Sequence, residues 1–399
     1  MKKVVLLGAG YANMALLKSL PSNVWNENEY EFLLISNTPL HYFSVLLHEV
    51  ASGVCEEEIT LPLNAILPKN VKFIQDKVIR IEQNLIQAEN DTYEYNILVV
   101  GLGFQSDNFG IVGIKEYADS IVNYQGALAL KQKIVNALRD YAVKGDVESF
   151  KIAVCGAGFT GIEFIGSFVD ELVQIRKELN IHQEKIKITC IEAMPNILPM
   201  FNPKLSSSAK TYLEEKNITF ELGCKILECE KDGIIVEKNG QKEKIDASLI
   251  IWTAGVKGNQ VMEDSTFFTT QRSKVEVNAY LQPINQANQE LMQNVFVIGD
   301  CAALKDPLTQ RFYPPTAQMA MQQGEFLAKL LVQKLQGKNF SEEFSYKPKG
   351  TICSIGSQYA IGYVGKMNIK GKSALWLKRA IEANWKFKLA GLKAFSKTF

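Results

Sequence analysis

Histidine is scarce in this chain: three residues in 399, His41, His48 and His182. No two share one helix face and none pairs with cysteine in a zinc pattern, so no metal site is expected. The seven cysteines are odd in number and scattered, which excludes a disulfide scaffold and fits reduced, cytosolic thiols. No apolar run reaches the roughly 20 residues that cross a bilayer. The opening "MKKVVLLGAG" runs straight into a glycine turn, so no signal peptide is expected. The net charge of +1 is also small, but it is unevenly spread. Residues 366–399 hold nine Lys/Arg against one Glu, leaving about −7 on everything before them. At this length one core is not enough, and two or three domains are expected.

What is present is a repeated arrangement. "KKVVLLGAGYANMALLKSL" reads as an apolar strand, a glycine turn and a helix, and "FKIAVCGAGFTGIEFIGSF" repeats it further on. Such glycines let backbone N–H groups approach a pyrophosphate at a helix N-terminus. The second copy is complete, with Gly156, Gly158 and Gly161. The strand "IKITCIE" then ends in Glu192, placed to bond a ribose 2′-OH and to repel a 2′-phosphate, which favours NADH over NADPH. The first copy has Gly8 and Gly10, but Asn13 stands at the third position. Its next strand, "YEFLLIS", ends in Ser36 rather than an acid. Both departures predict a weakened turn. Near residue 300, "NVFVIGDCA" puts Asp300 at a strand end, where flavoproteins of this build set an aspartate against the ribitol of FAD. In "PPTAQMAMQQGEF" the prolines and Thr316 predict a helix start, with Gln318 and Gln322 stacked one turn apart.

Together these stretches, with "LHYFSVLLHEVASG", "YNILVVGLGFQSDNFGIVGIKEYA" and "WTAGV", span nearly the whole chain. The sequence resembles the two-dinucleotide-binding flavoproteins, and most closely the type II NADH:quinone oxidoreductases. The most specific match is the family's Ala-Gln-x-Ala-x-Gln signature at Ala317, Gln318, Ala320 and Gln322. The resemblance implies an α/β fold with two Rossmann-like domains, FAD as cofactor and NADH as substrate. Gly8, Gly10, Ser36, Asp300 and Ala317 would hold FAD, and Gly156, Gly158, Gly161, Glu192 and Gly255 would hold NADH. Hydride would pass to the flavin and two electrons on to a membrane quinone, without proton pumping. Gln318 and Gln322 would then orient a quinone carbonyl; the plainer alternative is that they bond neighbouring backbone or face water. Glu163 is the candidate for proton supply or for coupling the two sites, against a reading as a helix-start charge favourable to the macrodipole. Ser167 stands where many relatives carry a second acid, and Cys353 where a small residue is commoner.

Cysteine-dependent relatives give the alternatives. Cys224 and Cys229 have the C-x4-C spacing of disulfide reductases, but they fall within strands of the NAD-binding part. A sulfide:quinone oxidoreductase would need cysteines beside the flavin; Cys155 reads as an inert buried thiol and Cys353 has no evident partner. An NADH-responsive flavoprotein without quinone turnover is a further alternative.

The division expected is 1–118 and 266–343 for the FAD-binding domain, 119–265 for the inserted NADH-binding domain, and 344–399 for strands plus an amphipathic, membrane-docking tail. In that tail Trp376, Ile381, Trp385, Leu389 and Leu392 recur at roughly helical spacing. They are interleaved with Lys378, Arg379, Lys386, Lys388 and Lys393, as suits a helix lying among anionic headgroups; binding a partner helix or covering the chain's own core are the alternatives. The expectation is a peripheral protein on the cytoplasmic face of the cell membrane, bound to the lipid surface, with no nucleic-acid partner. A homodimer joined through the tail is implied by the family alone.

Overall fold

The computed structural model describes residues 1–26, 29–145 and 148–392. Its frame is two five-stranded parallel sheets of one design. In the first, the strand order is Val295–Val297, Ile97–Val100, Lys2–Leu7, Tyr30–Ser36, Val71–Gln75. In the second it is Ala118–Ser120, Leu249–Trp252, Phe150–Cys155, Ile186–Glu192, Ile218–Leu222. The central strands carry continuous buried runs, the pattern of a parallel sheet covered on both faces. In each sheet a central strand feeds a glycine turn, a helix and then the neighbouring strand. The helices are Tyr11–Ser19 and Phe159–Leu179.

Two short strands, Phe104–Ser106 and Val256–Gly258, pair antiparallel and carry the chain into and out of the second sheet. The helix Gln260–Asp264 follows that ladder and packs on strand Val78–Glu82 of the first unit. Ser265 Oγ accepts from Ile81 N at 2.9 Å. Residues 260–265, assigned from sequence to the inserted domain, therefore lie with the first unit. A helix of five residues buries little on its own and goes where its one buried side chain, Met262, finds a core.

After helix Ala317–Leu335 the chain forms a three-stranded antiparallel sheet, Gly350–Ile355, Tyr359–Val364 and Met367–Lys370, and then the helix Lys372–Ala390. The small sheet packs against the second phosphate-turn helix at Gly166, where a Cβ would lie 2.5 Å from Gly356 N.

The C-terminal helix differs from its sequence reading. Trp385 and Leu389 point into the protein, and Trp385 is 6% exposed against 74% for Trp376. Lys378 also turns inward, 12% exposed. The outward face carries Trp376, Leu377, Ile381 and Phe387, with Lys372, Arg379 and Lys388 beside them. The physical reason is that the helix has two apolar stripes, and spacing alone does not say which one meets the core. Lys393 lies outside the described residues. Among the described residues no helix is long and apolar enough to cross a membrane.

Candidate functional site

At the end of strand Lys2–Leu7 the chain turns at Gly8, φ +88°, where a Cβ would meet the Gly101 carbonyl oxygen at 2.4 Å. Gly10 then opens the helix, and no side chain caps it, so the first-turn N–H groups face a groove suited to an anion. The groove has a volume of about 510 Å³ and is lined by Gly8, Gly10, Ser36, Asp300, Ala317 and Ala320 among others. Burial pushes the Asp300 carboxyl up, with Lys274 partly opposing it, so Asp300 is suited to meet hydroxyl groups. Asn13 is tied into the turn on one side of its amide, while its Oδ1 is buried without a partner among the described residues. Its Nδ2 donates to the carbonyls of Leu7 (2.8 Å) and Gly8 (2.7 Å), and the side chain lies under Gly101, which has no Cβ to obstruct it. Hydrogen bonds take over what close helix packing does elsewhere. The narrow backbone cradle, the uncapped helix and the aspartate opposite fit FAD.

The second turn keeps the glycine solution. Gly156 has φ +107°, Gly158 opens the helix, and a Cβ on Gly161 would lie 2.0 Å from the Gly156 carbonyl oxygen. Glu192 closes the turn from the next strand, accepting from Ala157 N (2.7 Å) and Met194 N (2.9 Å). The Phe109 ring fills the space a Cβ on Gly255 would need, 2.4 Å away. Arg272 lies 5.1 Å over that ring and pairs with Asp107.

Glu163 sits five residues into its helix and points away from the phosphate turn. It is buried, accepts from Ser354 N and Oγ at 3.1 Å each, and pairs with Lys378. His48 Nδ1 is 3.6 Å from its other oxygen. Burial pushes the Glu163 carboxyl up, but Lys378, His48 and Ser354 outweigh burial and hold it below the usual carboxylate range. Burial lowers Lys378, whereas Glu163 and Glu382 raise it above its ordinary value. Both are therefore charged at neutral pH. His48 is lowered, mainly by burial, with Glu163 opposing. Glu382, 4.0 Å from Lys378, is pushed up to about 7, first by burial. The helix-start reading of Glu163 is thus replaced by a buried ion pair. Nothing local in the sequence indicated Lys378, His48 or Ser354, which come from three distant segments.

Thr316 caps its helix as the prolines suggested, accepting from Met319 N at 3.1 Å. Gln318 and Gln322, however, are bonded to backbone. Gln318 accepts from Lys349 N (2.8 Å) and donates to Gly350 O (3.3 Å). Gln322 accepts from Lys347 N (3.0 Å) and donates to Lys347 O (2.9 Å). The extended stretch before strand Gly350–Ile355 has no ladder partner, and a primary amide presents the donor and acceptor that a neighbouring strand would. The amide that reaches the Gly299–Cys301 turn is Gln323, whose Oε1 accepts from Gly299 N at 2.7 Å.

All seven cysteines are free. Cys224 and Cys229 pack in one apolar cluster. Cys353 is fully buried, and burial raises its thiol well above the ordinary value. Cys301, unremarked in the sequence, adjoins the groove-lining Asp300; its thiol donates to Gly103 O at 3.1 Å, and burial raises it to about 12. Among the described residues no cysteine lines the first groove.

Two phosphate turns on two matched sheets, one facing an aspartate and the other an acid-closed ribose position, define a flavin- and pyridine-nucleotide-dependent oxidoreductase. The family model for pyridine nucleotide-disulphide oxidoreductases matches residues 2–324. The type II NADH:quinone oxidoreductase of Staphylococcus aureus strain MSSA476 is 38% identical over 397 residues, covering 98% of this chain and 96% of that protein. The chain belongs to the type II NADH:quinone oxidoreductases. Its fold is similar to NDH2 from Plasmodium falciparum in complex with NADH, with a TM-score of 0.83 at 20% identity over 100% of this chain and 98% of that one. The fold is also similar to the sulfide:quinone oxidoreductase of Aquifex aeolicus, with a TM-score of 0.76 at 21% identity over 98% and 92%.

Proposed function

We propose that the buried Glu163–Lys378 pair supplies a proton to quinone in the NADH:quinone oxidoreductase reaction of this chain, delivered from the Lys378 ammonium that Glu163 holds charged. When bound, FAD would supply the redox chemistry between NADH and quinone. Gly8, Gly10, Ser36, Asp300 and Ala317 hold FAD; Gly156, Gly158, Gly161, Glu192 and Gly255 hold NADH, with Glu192 on the ribose 2′-OH. Gln318 and Gln322 serve quinone by fixing residues 347–350 at the edge of its site.

The observation that carries the proton role is the buried pair itself. It joins residues of the first unit, the second unit and the tail, with Ser354 bonded to both charges. Burying two charges stabilises little, because desolvation offsets their attraction, so a chemical use explains the pair better than a structural one. Glu163→Gln keeps the shape and removes the charge. In anaerobic stopped flow, NADH should bleach the flavin at the wild-type rate, and a short-chain quinone should reoxidise it about 100-fold more slowly. Equal loss in both half-reactions would remove the pair from this role.

The tail brings the protein to its lipid-soluble substrate. The outward Trp376, Leu377, Ile381 and Phe387 enter the headgroup layer of the cytoplasmic face, and the basic residues beside them meet anionic lipid. A homodimer joined through the same face is the competing use, and it would appear as a concentration-dependent mass in detergent. We assign 1–118 with 260–343 to the flavin-bearing unit and the residues between to the NADH-bearing unit.

A further inference from the structure

The short strand Leu40–Tyr42 sends alternate side chains to opposite sides. Leu40 and Tyr42 line the flavin groove. His41 points the other way and is 0% exposed. Its ring lies between two distant partners. Nδ1 is 2.8 Å from the carbonyl oxygen of Ala9, the residue between the two glycines of the first phosphate turn. On the far side, Trp385 Nε1, 344 positions further along, donates to Nε2 at 3.2 Å.

These contacts leave one tautomer. An indole N–H only donates, so Nε2 is bare and the proton sits on Nδ1, from which it is donated to Ala9 O. Burial, partly opposed by that bond, lowers the imidazole to about 4, so the ring is neutral at ordinary pH. The Ala9 carbonyl and the Gly10 N–H belong to one planar, trans peptide unit and point in opposite directions. Holding the carbonyl toward His41 therefore aims the Gly10 N–H away from it, and Gly10 lines the groove. The next residue is held as well: the Tyr11 ring lies 5.5 Å from both His41 and Trp385.

We propose that His41, its tautomer set by Trp385, is a positioning residue for the FAD pyrophosphate, so that seating of the C-terminal helix and retention of flavin reinforce each other. The coupling is reciprocal by linkage: whatever the seated helix adds to FAD affinity, bound FAD adds to the seating of the helix. The assignment depends on the first turn holding FAD and is independent of the proton and membrane roles proposed above.

Trp385→Phe keeps an aromatic ring on Tyr11 and removes only the N–H. A dilution series of the holoprotein, read by the fluorescence of released FAD, should give a dissociation constant raised about three- to tenfold, the worth of one hydrogen bond. His41→Phe should raise it at least as far, and the double variant should match His41→Phe alone, because Trp385 acts through the imidazole. In Trp385→Phe, trypsin should cut the C-terminal helix faster even with FAD bound, whereas in the wild type FAD should protect it. An unchanged dissociation constant in Trp385→Phe would overturn the proposal. So would effects that simply add in the double variant, which would mean two independent packing contacts. Unchanged NADH affinity at the second turn in Trp385→Phe separates the expected result from general misfolding.

Discussion

At the scale of single residues, buried titratable groups carry the pH dependence. His41 is held neutral, its folded value lowered to about 4, so the unfolded chain binds the extra proton first. Its contribution is present above pH 6.5 and is lost as pH falls toward 4. Glu382 runs the other way. Its folded value is raised to about 7, first by burial, with Glu49 and Glu163 adding to it and Lys378 and Arg379 opposing it. The folded chain therefore binds the extra proton between about 4.5 and 7, and stability from this group falls as pH rises through that window. Between roughly pH 4.5 and 6.5 the two groups oppose each other, and the wild type should show a flat profile from this pair. Glu382→Gln removes one arm. The thermal midpoint of that variant should rise with pH over 5–6.5 more steeply than that of the wild type, by up to the slope of one proton, about 1.4 kcal/mol per pH unit. Parallel profiles would mean that Glu382 titrates near its ordinary value in the folded chain.

At the scale of elements, local signals were legible and facing was not. The glycine turns, the Thr316 cap and the strands ending in Ser36 and Glu192 stand in the order the sequence implied, because each depends on a few adjacent residues; the strand before Asp300 stops at Val297, and Asp300 sits in the turn Gly299–Cys301 that follows it. The C-terminal helix was legible as a helix, but not which side it buries. That choice rests on His41 and Tyr11 receiving Trp385 and on Glu163 receiving Lys378, partners more than 200 positions away. The amides of Gln318 and Gln322 belong to the same class, since their partners lie in a loop whose path no local signal sets. The consequence for the helix is testable. Replacing Lys372 and Arg379 with Ala should weaken binding of the holoprotein to phosphatidylserine vesicles about fivefold per residue, from about 1 kcal/mol each. Trp376→Ala should weaken it further with no loss of flavin. Vesicle binding that is indifferent to all three would assign the outward face to a second copy of the chain.

At the scale of the whole molecule, one topology is used twice, and the two copies differ in the side chains around their turns. Both sheets present a glycine turn between neighbouring parallel strands, so the backbone cradles are nearly interchangeable. The strand that closes the first ends in a buried serine, and Asp300 faces that groove from a third segment. The strand that closes the second ends in Glu192, whose carboxylate is already fixed at the turn by Ala157 N and Met194 N. A carboxylate so placed accepts a ribose hydroxyl well and repels a phosphate in the same position. Glu192→Ser would give the second turn the residue type of the first. It removes a charge-assisted hydrogen bond, and with it about 1.5–3 kcal/mol of NADH binding, roughly a 10- to 100-fold rise in KM. It also removes the repulsion against NADPH, so the NADH to NADPH ratio of kcat/KM should fall by more than the NADH loss alone. If kcat with NADH stays near wild type while that ratio collapses, Glu192 selects between nucleotides and takes no part in hydride transfer. A ratio that stays constant while both substrates weaken equally would instead make Glu192 a brace of the turn, and the selectivity would have to reside in the loop around Gly255.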